Sequence, residues 1–333
     1  MIITAGTLTA AGLFLFVYFI YSVGLAEIAD NVRRFGFFGF GVILTIYFVR
    51  VLIRSLAWKL SVYEPYRLEM RDTVPAVLIG EALSSMIPLG IVISGTAKAV
   101  AVRRRVPLVV GLSSVATENL FYSVTTSVFL MLGAFTFLRT FDLDPGWILT
   151  IDILIVGLLA AIAFIVLLVL RQWHIASEVC EWIYQRGVLT RLLEGGRLQV
   201  RLFENLIFGY YRRHPGRFIP ICLLNSAFHV LGVIEVWFIL SRIADTGATA
   251  LNAFLLESVS RLITIVFKLV PFLIGVDEAG AQFVAETVGI GVGIGVTLAL
   301  IRKGRILFWA LTGIAILISR GLSLRKILRT IEN

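Results

Sequence analysis

Apolar residues along this chain come in long, nearly uninterrupted runs, which is the pattern of membrane-spanning helices rather than of a soluble core. A helix needs about 20 mostly apolar residues to cross the hydrocarbon layer of a bilayer. The hydrophobic share of 59% and the mean hydropathy of +0.94 exclude an ordinary soluble globule. We therefore predict an all-α fold, a polytopic helix bundle that forms a single membrane domain over residues 1–333. Its spans, about eight in number, are residues 4–23, 37–56, 107–137, 147–170, 218–240, 251–270, 279–300 and 306–318.

Charged residues inside these apolar runs carry the functional information. A charge at the centre of a bilayer costs at least about 2.5–3.5 kcal/mol, so it usually faces the bundle interior, a wet cavity or a partner. A polytopic protein with many such residues is expected to handle a polar solute or a lipid headgroup rather than to be an inert anchor. The residues concerned are Glu81, Glu118, Glu235, Glu257, Arg261, Lys268, Asp277 and Glu278.

The segments between the runs leave no room for a soluble domain. The longest, residues 171–217, is shorter than a domain of normal size, so we expect no soluble catalytic domain and no enzyme activity. The chain has 2 cysteines and 3 histidines, and their spacing suggests no zinc site, redox pair or disulfide framework. No cofactor and no nucleic-acid partner is predicted; the expected partners are membrane lipids.

Lysines and arginines are divided unevenly between the loops and predict an orientation, because cytoplasmic loops carry an excess of them. The N-terminal stretch lacks the positive charge of a signal peptide, so run 4–23 is expected to be retained as a span. This distribution places both termini in the cytoplasm and gives an even number of spans. Arg302, Lys303 and Arg305 fall in a loop on the opposite side and are the one violation. The cytoplasmic basic segments are residues 50–71, 98–105, 171–217 and 320–329.

Two apolar segments are interrupted by proline and glycine. Residues 73–96 contain Pro88 and Gly90 and have basic clusters on both sides, which predicts a re-entrant cytoplasmic hairpin; the alternative is a kinked ordinary span. A second break is expected at residues 271–278, and either a re-entrant segment or a full span could follow it up to residue 300. Broken segments in corresponding halves point to a transporter binding site, so an internal repeat is possible.

Residues 171–217 carry apolar side chains at helical spacing in two stretches that Gly195-Gly196 is expected to separate. Amphipathic helices on the cytoplasmic leaflet would satisfy this pattern, with arginines facing anionic headgroups. The alternative is a solvated linker packed on the bundle.

Four short motifs resemble the transmembrane region of lysylphosphatidylglycerol synthetase and its free-standing flippase-like relatives, one of which is associated with hopanoid biosynthesis. They are Arg54-Ser-Leu-Ala-Trp58-Lys59, the segment from Gly80 through Ile87-Pro88-Leu89-Gly90 to Gly95-Thr96-Ala97-Lys98, Ala116-Thr117-Glu118-Asn119-Leu120, and Pro271 followed by Gly275-Val276-Asp277-Glu278-Ala279.

The resemblance implies lipid translocation across a bacterial cytoplasmic membrane, with a polar headgroup passing through a cavity lined by broken helices. No lysyl-transfer domain is present, so lipid aminoacylation is not implied. This chain departs from the family pattern at Ser84, Ser85, Thr96, Lys98 and Asn119, which leaves the headgroup preference open. The candidate headgroup contacts are Arg54, Glu81, Pro88, Lys98, Glu118, Glu257, Arg261, Pro271, Gly275, Asp277 and Glu278.

Several of these residues also have structural interpretations. Glu257 and Arg261 are four apart on one helix face, so they form either a neutralising pair or a gate that exchanges partners. Asp277 and Glu278 could simply favour a helix N-terminus. Glu118 needs a partner, which Lys98 or Arg103 could supply if the hairpin folds back.

Two other classes of function compete with lipid translocation. The chain could be a non-catalytic scaffold that holds a lipid-synthesis enzyme, such as one for hopanoids or glycolipids, through residues 171–217. An intramembrane transferase is the third reading, and no convergent acid/base motif with a donor site supports it.

Overall fold

The computed structural model describes residues 14–86, 90–141, 144–186, 190–267 and 270–321, and within these ranges the chain is helical with no strand. This confirms the predicted all-α membrane bundle. The helices are α1 (Phe14–Val23), α2 (Leu25–Leu60), α3 (Met70–Met86), α4 (Gly90–Ala101), α5 (Leu108–Thr140), α6 (Pro145–Arg171), α7 (Ile175–Gln185), α8 (Thr190–Arg213), α9 (Phe218–Ile243), α10 (Ala250–Val266), α11 (Val276–Thr287) and α12 (Val292–Ser319), with 3-10 turns at Pro215–Arg217 and Pro271–Leu273.

Within the described chain, 4 helical segments are long and apolar enough to cross a membrane by length and composition: Leu25–Leu60, Leu108–Thr140, Ile148–Val169 and Pro215–Ile243. They correspond to four of the predicted runs. In α2 the backbone leaves helical geometry at Gly36, with φ 67° and ψ 174°, so its apolar part begins where the sequence predicted.

The predicted boundary between the last two spans, residues 279–300 and 306–318, is wrong. Helix α11 ends at Thr287, and Gly289 and Gly291 turn the chain with φ of 72° and 105° before α12 begins. Positive φ is accessible to glycine at little cost, so the glycine-rich segment ends one helix and starts another. Helix α12 then runs unbroken through Arg302, Lys303 and Arg305, which the sequence had placed in a loop.

Two helix hairpins, α3–α4 and α10–α11, lie between long helices in the order of the chain. Helices α3 and α4 pack along each other, and residues 87–89, including the predicted contact Pro88, lie outside the described residues. Helix α10 ends at Val266, short of the predicted 251–270 run, and α11 packs against it after a break. In that break Phe272 and Leu273 have φ of 52° and Gly275 has φ of 81°. The membrane depth of both hairpins stays a prediction.

Helices α7 and α8 pack together beside the bundle. The Glu204 carboxylate accepts the backbone N–H groups of Ala176 and Ser177 at 2.9 and 3.3 Å, which satisfies the first turn of α7. The Tyr210 hydroxyl donates to the Leu60 carbonyl at 2.7 Å and ties α8 to the end of α2. The predicted separation at Gly195-Gly196 is wrong, because α8 runs continuously through both glycines. Each costs a helix only about 1 kcal/mol relative to alanine, which the other residues of α8 absorb.

Helices α2 and α9 run antiparallel through the centre of the molecule. Arg34 meets Asp245 at 3.3 Å near one end of the pair, and Arg50 meets Glu235 at 3.1 Å near the middle. Near the other end, the Arg217 guanidinium donates to the Leu60 carbonyl at 3.5 Å. This pair positions the charged side chains of the candidate site.

Candidate functional site

Arg50 of α2 lies at the centre of the bundle with its side chain completely buried. Its Nη1 is 3.1 Å from Glu235 Oε2 on α9, and its Nη2 is 3.6 Å from Glu257 Oε1 on α10. The guanidinium carbon is 4.2 Å from the centroid of the Phe228 ring, a cation–π distance. Three helices therefore meet at this side chain.

Helix α12 brings further arginines to the same two carboxylates. Arg302 Nη2 donates to Glu257 Oε2 at 2.7 Å, and Arg305 forms an ion pair with Glu235. Arg261 Nε donates to Glu257 Oε1 at 2.8 Å from within α10. We call this group the central cluster: Arg50, Glu235, Glu257, Arg261, Arg302 and Arg305.

The central cluster has more positive than negative charge, since four arginines share two carboxylates. Arg50 Nε and Arg305 Nε are buried and have no hydrogen-bond partner among the described residues. An uncompensated buried charge costs several kcal/mol, of the order of 3–5 kcal/mol when a partner is removed. The cluster is thus chemically suited to an additional anion.

A second group, the Arg54 cluster, lies one helical turn along α2. Arg54 Nε is 3.4 Å from Glu118 Oε1 on α5, and Nη1 is 3.7 Å from Glu81 Oε1 on α3. Arg54 Nη2 donates to the Asn119 side-chain oxygen at 3.2 Å, and the Tyr122 ring lies 4.2 Å from the guanidinium carbon. Arg54, rather than Lys98 or Arg103, is therefore the ion-pair partner of Glu118.

The Arg54 cluster is the more open of the two. The Glu81 side chain is 32% exposed and that of Arg54 13%, whereas those of Glu235 and Glu257 are 0% exposed. Lys98 of α4 is buried beside this group, within electrostatic range of Glu118 and Glu81. Its side chain passes over Gly80, where an added Cβ would lie 2.8 Å from Lys98 Cε.

Asp277 and Glu278 stand at the first turn of α11. Glu278 Oε2 accepts the Gly275 N–H at 2.8 Å, and its Oε1 is 2.6 Å from Lys303 Nζ. Asp277 accepts from the Ser260 hydroxyl at 3.0 Å, and Ser260 Oγ in turn accepts from Arg302 at 3.0 Å. Glu278 has the geometry of a helix cap, while Asp277 reaches the central cluster through one hydroxyl.

The predicted contacts thus fall into three places. Arg54, Glu81, Lys98 and Glu118 come together in the Arg54 cluster. Glu257 and Arg261 belong to the central cluster. Pro271 and Gly275 lie in the break before α11, and Asp277 and Glu278 lie in the first turn of α11.

Sequence reasoning missed Arg50, Arg302 and Arg305 as site residues, because basic residues near the ends of apolar runs were assigned to loops. A signal was present. Arg50 and Arg54 are four apart, and Arg302 and Arg305 are three apart, so each pair shares one helix face. Both faces are flanked by apolar residues.

Long apolar helices around buried ion pairs define a multi-pass helical membrane protein with a charged interior. A family model described as the lysylphosphatidylglycerol synthase TM region matches residues 2–315, and the chain belongs to this family. No curated protein and no solved structure matches the chain. The family assignment confirms the resemblance of the four motifs to this transmembrane region and makes this a membrane protein of a lipid-related family.

Proposed function

We propose that the protein translocates membrane lipids and that the polar headgroup passes by the Arg54 cluster and the central cluster. The observation that carries the proposal is the presence of two neighbouring sets of ion pairs, one with partly exposed Glu81 and one with fully buried Glu257. The Phe228 ring lies between them, 5.9 Å from the Arg54 guanidinium carbon and 4.2 Å from that of Arg50. Such groups can exchange partners with a charged headgroup and replace the water it loses, which lowers the cost of crossing.

The excess of arginine in the central cluster favours a lipid with an anionic group, such as a phosphodiester. Arginine presents several N–H donors in a planar fork that matches phosphate oxygens. The role requires no bond making or breaking, so the protein is proposed not to be an enzyme. We place it in the bacterial cytoplasmic membrane with both termini in the cytoplasm, following the distribution of basic residues.

Translocation is tested in liposomes that contain the purified protein and a fluorescent phospholipid, with a membrane-impermeant quencher added outside. Arg54→Gln removes the cation shared by Glu81 and Glu118, and we expect the translocation rate to fall by about tenfold, which corresponds to about 1.4 kcal/mol in the barrier. The matched control is Glu64→Gln, which alters an exposed ion pair with Arg217 outside both clusters. An unchanged rate in folded Arg54→Gln protein would refute the proposed path.

The scaffold alternative is supported by the exposed Trp182 and Leu198 on α7 and α8. Mass spectrometry of co-purified lipids separates the two functions. Enrichment of one phosphate-bearing lipid over the bulk membrane, lost in Arg302→Gln, supports lipid handling through the central cluster. A lipid profile equal to the bulk, together with loss of a bound enzyme in a Trp182→Ala variant, supports the scaffold.

A further inference from the structure

The two hairpins have the same dimensions. Helices α3 and α10 are both 17 residues long, and α4 and α11 are both 12 residues long. Each hairpin follows a long apolar helix, α2 or α9, and precedes another long helix, α5 or α12. The order of elements in residues 37–140 is therefore repeated in residues 218–319.

The packing of the helices repeats as well. We call residues 37–140 the first unit and residues 218–319 the second unit. In the first unit α2 contacts α3 and α5, and α4 lies against both α3 and α5. In the second unit α9 contacts α10 and α12, and α11 lies against both α10 and α12. Between the units, α12 contacts α2 and α3, and α5 contacts α9 and α10. Exchanging the two units leaves this set of contacts unchanged.

A close helix contact recurs at the same register. Gly111 is the fourth residue of α5, and Gly295 is the fourth residue of α12. Ala99 is the tenth residue of α4, and Ala285 is the tenth residue of α11. A Cβ placed on Gly111 would lie 3.2 Å from Ala99 Cβ, and one placed on Gly295 would lie 2.9 Å from Ala285 Cβ. Both glycines let a hairpin arm approach the following long helix closely.

Charged residues also occupy equivalent positions, but with opposite sign. Glu81 and Arg261 are each the twelfth residue of α3 and α10, and Glu118 and Arg302 are each the eleventh residue of α5 and α12. Arg54 pairs with both glutamates in the first unit. Glu257 pairs with both arginines in the second unit. Each unit therefore holds a triad in which one charge lies between two of the opposite sign; the outer two residues occupy equivalent positions, whereas the central residue lies on α2 in the first unit and on α10 in the second.

The second unit points the opposite way through the bundle. Helices α2 and α9 are antiparallel, as Arg34–Asp245 and Arg50–Glu235 show. Helix α5 runs parallel to α9, because residue numbers rise together along the two helices: Phe121 contacts Phe218, and Phe129 contacts His229. Helix α12 likewise runs parallel to α2, with Phe40 beside Gly304 and Phe48 stacked on Trp309. Both long helices of the second unit thus run opposite to their equivalents in the first, as a two-fold axis perpendicular to the long helices would require.

We infer that residues 37–140 and 218–319 form an inverted repeat, and that the second triad, Glu257, Arg261 and Arg302, is a second headgroup site that opens to the opposite membrane surface. Its excess of cations suits an anionic phosphate group. The structure holds the first triad more open and the second more closed. Exchange of the two conformations between the units exposes the second triad and closes the first. This inference rests on the proposed lipid translocation.

The test uses Ser84 and Thr264, which are each the fifteenth residue of α3 and α10 and are both half-buried. Ser84→Cys and Thr264→Cys are made separately in a chain that carries Cys180→Ser and Cys222→Ala. A membrane-impermeant maleimide is applied to right-side-out and to inside-out vesicles. We expect the two positions to be labelled from opposite surfaces. Labelling of both from the same surface would overturn the inverted repeat.

Exchange is tested by adding Arg261→Gln, which loosens the second triad. Labelling at the Thr264→Cys position should rise several-fold and labelling at the Ser84→Cys position should fall, since opening of one unit closes the other. A rise in labelling at the Thr264→Cys position with no fall at the Ser84→Cys position would refute the exchange. If the two positions are labelled from opposite surfaces and exchange is seen, but the protein translocates no lipid, the inverted repeat is supported and the proposed function is refuted.

Discussion

The two units of this protein share a backbone plan and differ in how they hold charge. In the first, Arg54 lies between Glu81 and Glu118, and Glu81 is partly exposed. In the second, Glu257 lies between Arg261 and Arg302 and is completely buried, with Arg50 as an additional partner. The comparison separates two properties of a buried ion pair. The second unit is the sealed one, and its stability depends on its buried charges. The first unit is the open one, where water can replace a charged partner that is removed.

The largest expected effect is at Glu257. Glu257→Ala leaves Arg50, Arg261 and Arg302 with only Glu235 within the central cluster, and breaking a buried pair costs about 3–5 kcal/mol. We expect a much lower Tm in detergent or failure to fold. The double variant Glu257→Gln with Arg302→Gln should recover part of the loss, because it removes a charge of each sign. Equal Tm values for Glu257→Ala and the unaltered protein would contradict the account of the sealed unit.

A smaller effect should separate the two glycine contacts. A Cβ at Gly295 would lie 2.5 Å from the Ala281 carbonyl oxygen, whereas a Cβ at Gly111 finds its nearest atom, Ala99 Cβ, at 3.2 Å. Overpacking costs about 1–3 kcal/mol, so Gly295→Ala should lower the Tm. At Gly111 the better helix propensity of alanine, about 1 kcal/mol, should offset the tighter contact. Differential scanning calorimetry of the two variants in one detergent checks which substitution lowers the Tm more. A larger loss of Tm in Gly111→Ala than in Gly295→Ala would contradict the prediction.

The smallest effect on stability is expected at Glu81. Glu81→Gln removes a partly exposed partner of Arg54 that lies 3.7 Å away, and Glu118 still neutralises the arginine. Exposed or half-exposed pairs contribute about 0–1 kcal/mol, so the Tm should stay nearly unchanged. A loss as large as that of Glu257→Ala would show that the first unit is sealed as tightly as the second.

The apolar runs predicted most of the long helices because a chain in lipid must satisfy its backbone hydrogen bonds internally, which leaves a helix as the local solution. This reasoning succeeded for α5, α6 and α9, which contain no glycine with positive φ. It failed at residues 279–300, because Gly289 and Gly291 adopt positive φ and end the helix inside an apolar run. Composition alone does not distinguish such a turn from the interior of a span.

The site was predicted only in part. The acidic residues Glu81, Glu118 and Glu257 stood out inside apolar runs, where a carboxylate requires a partner. The arginines that pair with Glu257 and Glu235, which are Arg50, Arg302 and Arg305, did not stand out, since counting basic residues by loop assumes that each one lies in water. The pairings join helices that are up to 185 residues apart in sequence, as for Arg50 and Glu235, and no local pattern specifies them.

The most direct test of the account is the translocation rate of a phospholipid in liposomes that contain Glu81→Gln or its repeat equivalent Arg261→Gln. Each variant alters one unit at a partly exposed position and leaves the fully buried pairs in place. The account predicts that both variants stay folded and that both translocate lipid more slowly than the unaltered protein, because a headgroup must pass both triads. Rates equal to that of the unaltered protein for both variants would contradict it.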